Sequence, residues 1–122
     1  MGKYVADAIM DLALAGIATC TRMDVTSDSS TPSDLTNTLA NVTLTAGDGN
    51  GDYTIANGDS SGRKITVAQQ SNISVTGSGT ARHIVLSVGG VIKLTTTCTE
   101  QSLTSGNTVT VPAFKHEIAD AA

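Results

Sequence analysis

The chain has 122 residues, 39% of them apolar and 15% charged, against a usual charged share of roughly 25%. Hydroxyl side chains make up about a quarter of it (19 Thr and 12 Ser), and Tyr4, Tyr53 and Phe114 are the only aromatics. This length suits one domain, the low charge argues against disorder, no apolar run reaches the ~20 residues of a membrane span, and a net charge of −4 with few aromatics excludes a basic or base-stacking nucleic-acid binder.

Residues 1–20 superficially resemble a secretory or lipoprotein signal, with Lys3, an apolar stretch and Cys20. Asp7 and Asp11 interrupt that stretch, and Thr19 fits poorly before a lipidated Cys. Ala6 breaks the myristoylation pattern that Gly2 begins. The segment therefore reads as part of the mature protein, made in the cytoplasm. Residues 3–15 read as a helix, because Val5, Ala8, Ile9 and Leu12 recur at i, i+3, i+4 and i+7. Gly16 suits the position just past its end. A helix this short must dock its apolar stripe, on its own sheet or on a neighbouring subunit.

After Gly16 the texture becomes β, rich in Thr, Val and Ile. Residues 17–25 form a first expected strand, and residues 27–38, with Pro32, a long surface loop. Strands are expected at 40–45, 53–56, 63–69 and 73–76, each alternating wet and packed positions. Residues 81–88 and 91–98 flank Gly89-Gly90, whose glycines supply the positive φ angles of a tight hairpin turn. Pairing Val88 with Val91 would set Leu86 opposite Lys93 and Ile84 opposite Thr95. Gly106-Asn107 marks another turn, and residues 108–118 form the last strand, with Pro112 marking an edge, bulge or break. The fold class is mainly β: an antiparallel β-sandwich or small barrel with one short N-terminal α-helix. The expected division is a helical segment, 1–16, and a single β domain, 17–122.

Chemical motifs are sparse. His83 and His116 both fall in expected strands, and no GxSxG elbow accompanies them. Gly77-Ser78-Gly79 lacks the Lys-Ser/Thr of a phosphate loop and reads as a turn. In Asp48-Gly49-Asn50-Gly51-Asp52, acids and amide alternate like the first ligands of a calcium loop, and Asp59 falls at its twelfth position. Tyr53 at the sixth position and the short Asp59 depart from that pattern, so a turn is the preferred reading. Cys20 and Cys98 form no CxxC pair and read as small buried hydrophobes, a disulfide being the lesser alternative. Asn41-Val42-Thr43 and Asn72-Ile73-Ser74 match a glycosylation pattern and are set aside without a secretory signal. No catalytic, cofactor-binding or metal-binding residue is assigned. Charge is uneven: residues 1–60 carry a net −6 and residues 61–122 a net +2, which suits attraction between subunits or plain scatter on a wet surface.

Four stretches stand in order along the chain: Ser61-Gly62-Arg63-Lys64-Ile65-Thr66-Val67, then Gly79-Thr80-Ala81-Arg82-His83-Ile84-Val85-Leu86, then Thr96-Thr97-Cys98-Thr99-Glu100-Gln101-Ser102-Leu103-Thr104-Ser105-Gly106-Asn107-Thr108-Val109, and then Pro112-Ala113-Phe114-Lys115. This run resembles a group of small proteins encoded among the structural genes of tailed bacteriophages, many of which begin with a short helix like residues 4–14. The motifs are turns and strand patterns, so the resemblance implies a virion component and carries over no catalytic residue.

The leading expectation is a non-enzymatic capsid decoration (cement) protein. It would bind the outer shell as a homo-oligomer, a trimer, with the major capsid protein as partner and neither nucleic acid nor membrane involved. The helix and the 27–38 loop are the expected contact elements. A tail, adaptor or fibre-associated β module is the alternative. A host-surface or glycan-binding module is weakened by the lack of Trp, and a small hydrolase is weaker still.

Overall fold

The computed structural model describes residues 6–119. Helix α1 (Asp7–Ile17) precedes strands β1 (Arg22–Thr26), β2 (Thr38–Thr43), β3 (Tyr53–Asn57), β4 (Arg63–Val67), β5 (Gln70–Ser74), β6 (Gly79–Val88), β7 (Val91–Leu103), β8 (Thr108–Val111) and β9 (Phe114–Ile118). All named strand pairs are antiparallel. The strands form a four-stranded sheet in the order β2-β1-β6-β7, a three-stranded sheet β3-β4-β9 and a pair β5-β8. The pair continues the four-stranded sheet at β2, because Ala40 bridges Val75 and the Thr76 N–H donates to the Leu39 carbonyl at 2.8 Å.

Alternation along β1 sets the layers. Met23 and Val25 face the core beside Leu86 and Ile84, their partners on β6. Ile65 and Val67 of β4, Tyr53 of β3, Ile73 of β5 and Val111 of β8 meet them there, as do Leu14 and Ala18 from the helix and its end. The result is a small, mainly β, sandwich-like fold with one helix, in agreement with the strand alternation of the sequence. Pro112 breaks the last expected strand. The chain leaves β8 at Val111 and re-enters as β9 at Phe114 in the other layer, because Pro has no N–H for the ladder.

Several local expectations are corrected. The helix runs to Ile17, so Gly16 lies inside it and the cap is Ala18; its expected start at Lys3 lies outside the described residues. The first strand begins at Arg22 rather than at 17, which leaves Cys20 in the connection. In the hairpin, Val88 does pair with Val91, but a bulge places Ser87 opposite Ile92 and Leu86 opposite Leu94. Lys93 is the extra residue. The bulge aligns Leu94 with Leu86, and Ile84 consequently pairs with Thr96.

The largest correction concerns the helix face. Met10 and Leu14 are the buried pair of α1, while Ala8, Ile9 and Leu12 of the expected docking stripe are exposed; Val5 lies outside the described residues. The reason is that α1 is apolar on both sides, so spacing alone does not say which side docks. Burial of Met10 and Leu14 marks the docked side, and beside it the Asp11 carboxylate receives the Arg63 guanidinium at 2.7 and 3.3 Å, holding the helix over β4.

Candidate interaction surface

Three features present groups that a partner can meet. The first is the outer side of α1. Ile9 and Leu12 are 59% and 72% exposed, at a spacing that puts them on one helical face with Ala13 and, a turn on, Gly16. Ala6, at the start of the helix, makes no side-chain cap hydrogen bond, so the helix depends on docking through Met10 and Leu14. Its outer side is left as an apolar strip with small residues that let another backbone approach.

The second is the segment between β1 and β2, expected as a loop. It lies beside the outer face of the four-stranded sheet, where Asp24, Thr26, Val85 and Ser87 are all buried. The Ser27 N–H donates to the Asn37 carbonyl at 3.1 Å and closes its base. His83 Nδ1 lies 2.9 Å from the Asp28 carbonyl, the Arg82 guanidinium donates to the Ser27 carbonyl at 3.3 Å, and the Asn37 amide donates to the Asp28 carboxylate at 2.6 Å. Pro32 is buried, but Ser29, Ser30, Thr31, Ser33 and Asp34 are exposed. The loop is thus anchored at its root and packed through Pro32, with the polar side chains around Pro32 facing outward. Beneath it, Asp24 is fully buried and takes a bidentate pair from Arg22 at 2.7 and 2.8 Å plus the Thr38 hydroxyl at 2.7 Å. A buried carboxylate is tolerated only when so completely satisfied.

The third is a cleft of about 380 Å³ between β7 and the β8–β9 corner. Val25, Ala81 and Ile84 form its floor, and Phe114 closes one side. Cys98 lies on its β7 wall, half-buried, and desolvation followed by the nearby Glu100 charge pushes its thiol up from 9.0.

The motifs singled out in the sequence are accounted for by folding. The Asp48 carboxylate accepts the Ile55 N–H at 2.8 Å, and Asp52 accepts the Thr45 N–H at 2.6 Å and the Gln70 amide at 2.9 Å. The Asn50 amide donates to the Ala46 carbonyl at 2.9 Å. These side chains brace the turn before β3. Asp59 stands apart from them and pairs with Lys64 and Lys115. Among the described residues no group of three or more His, Cys, Asp and Glu side chains gathers as a metal site. His83 and His116 lie on different sheets, His116 exposed on β9. Both thiols are free, Cys20 buried and Cys98 half-buried.

Sequence reasoning named the helix and the loop but missed the cleft. Its only local signals are Pro112, which ends β8, and the length of β7. No family model, curated protein or solved structure matches the chain.

Proposed function

We propose that the chain is a non-enzymatic structural protein of a tailed-phage virion: a decoration protein that binds the outside of the assembled capsid, as a homo-oligomer, and bridges neighbouring major capsid subunits. Its synthesis belongs to the bacterial host cytoplasm and its working place to the capsid surface. The sequence resemblance supplies the virion context. The observation that carries the binding role is the outer side of α1, where Ile9 and Leu12 stay exposed on a helix whose other side is docked. A protein stable as an isolated unit gains nothing from exposing them; a protein completed by a lattice does.

The physical mechanism is linkage. A ligand that binds only the assembled shell stabilises it by mass action, and many symmetric copies add avidity to modest contacts. Trimerisation supplies part of that avidity by presenting several α1 strips at once. The exposed tip of the 27–37 loop is the second contact element.

The test is the copy number of this protein in purified virions, by quantitative mass spectrometry. On the order of hundreds of copies supports decoration; about six to twelve supports the tail or adaptor reading, because those assemblies are rings. Leu12→Glu is the companion variant: it leaves the core untouched and is expected to abolish capsid binding. Truncation at residue 16 is a poorer test, since it removes Leu14 from the core.

A further inference from the structure

The cleft is built differently from a pocket between side chains. Consecutive residues 96–99 line it on one side and consecutive residues 109–114 on the other. Residues of both alternating sets are present, so its walls are the backbone edge of β7 on one side and, on the other, the edge of β8 with the corner of Pro112 and Ala113 that follows it. Each is the last strand of its sheet, β7 beyond β6 and β8 beyond β5. Among the described residues, the one further hydrogen bond to the backbone of 96–99 is a 3.5 Å contact from the Thr96 hydroxyl to the Thr97 carbonyl. Two free edges therefore flank an apolar floor of Val25, Ala81 and Ile84.

We propose that this slot is an acceptor groove for an extended segment of a partner polypeptide. The segment hydrogen-bonds to the edges of β7 and β8 and buries alternate apolar side chains against the floor. Strand addition of this kind draws affinity from main-chain hydrogen bonds and specificity from alternate side chains.

Three observations select this occupant. Edge N–H and C=O groups need polar partners, which an acyl chain lacks and a peptide supplies. No Asp, Glu, Lys, Arg or His lines the slot, so the segment is uncharged where it inserts. The four-stranded sheet and the β5-β8 pair already join through Ala40 and Val75, so one strand between β7 and β8 closes the run β7-β6-β1-β2-β5-β8 into a ring without edges. A short segment of about three residues, roughly 10 Å long, matches the regular edges: β8 lines the slot from 109 to 111 before Pro112, and β7 lines it through Thr97 before its register with β6 shifts between Thr97 and Gln101. The proposal stands on the slot alone and holds whether or not the chain is a virion protein.

Cys98 reports occupancy directly, because it lies in the slot wall while Cys20 is buried. The probe is a synthetic peptide of alternating Thr and Val with Lys at each end. Its controls are the same peptide with alternate backbone amides N-methylated, and decanoate. Iodoacetamide modification of Cys98 is followed by peptide mass mapping. At about ten times its Kd the peptide should slow the reaction roughly tenfold, in proportion to the free sites left. The N-methylated peptide and decanoate should leave the rate unchanged. Ala113→Trp, at an exposed wall position, should remove the protection without touching the core. Equal protection by decanoate or by the methylated peptide would make the slot an apolar ligand site and overturn the proposal. So would absence of protection at millimolar peptide, or full protection in Ala113→Trp.

Discussion

The Tyr53 hydroxyl donates a 2.8 Å hydrogen bond to the Cys20 carbonyl, and both residues are fully buried. The bond ties the three-stranded sheet to the connection between α1 and β1. It also explains how the one large aromatic at the centre of the core can keep a polar atom there. Tyr53→Phe leaves the Cys20 carbonyl without that donor. It should cost about 1–2 kcal/mol, read as a lower urea midpoint with an unchanged slope.

Alkaline stability follows from the same residue. Burial pushes the Tyr53 phenol well above its ordinary 10.0, helped by the Cys20 and Asp52 charges, and burial raises the Cys20 and Cys98 thiols above 9.0. The unfolded chain therefore releases these protons first. Stability is fully present below about pH 9 and falls as pH rises, first through the thiols and then, above about pH 10, through the phenol. Urea midpoints measured from pH 8 upward should show this decline. In Tyr53→Phe the portion above pH 10 should vanish while the thiol portion remains.

The facing of α1 is open to a paired test. Leu14 is completely buried, whereas Leu12 is 72% exposed. Leu14→Ala should cost about 3–5 kcal/mol, as cavity-forming core substitutions do. Leu12→Ala should stay within about 0.5 kcal/mol. If thermal melts ranked the two the other way, the helix would dock through the stripe Ala8-Ile9-Leu12.

Asp24 and Arg22 make a further pair whose loss is directional. Asp24→Asn keeps the shape but removes the charge that the Arg22 guanidinium and the Thr38 hydroxyl both engage. Arg22 is 43% exposed and regains water, so the cost should be about 2 kcal/mol rather than the larger penalty of stranding a fully buried partner. Thr38→Val should cost about 1 kcal/mol, and the double variant should cost less than the two summed, because they share one carboxylate.

Two glycines with positive φ should respond differently to alanine. At Gly62 (φ +67°) a Cβ would collide with the Ile118 carbonyl oxygen, so Gly62→Ala must displace β9 from β4. At Gly89 (φ +57°) the space is open, and Gly89→Ala costs only the left-handed penalty of about 1–2 kcal/mol. Denaturation should rank Gly62→Ala as much the more damaging, and hydrogen exchange should show its loosening concentrated in β9.

Local chemistry made much of this molecule legible in its sequence. Alternation along β2, β3 and β4, the Gly89-Gly90 turn and the break at Pro112 all arise from residues within a few positions of one another, where period and turn chemistry act directly. The sequence by itself thus determined a mainly β chain with one leading helix and its principal turns. Only the tertiary structure decided what depends on distant partners. Packing of Met10 and Leu14 against the sheets, with Arg63 on Asp11 beside them, set the buried face of a helix that is apolar on both sides. A bulge at Lys93 reset the hairpin so that Leu94 meets Leu86. The order of strands, which follows from how the layers close over Tyr53 and Ile65, left β7 and β8 as free edges on either side of the slot. None of these has a local signature, because each is settled by burial and hydrogen bonding between segments far apart in the chain.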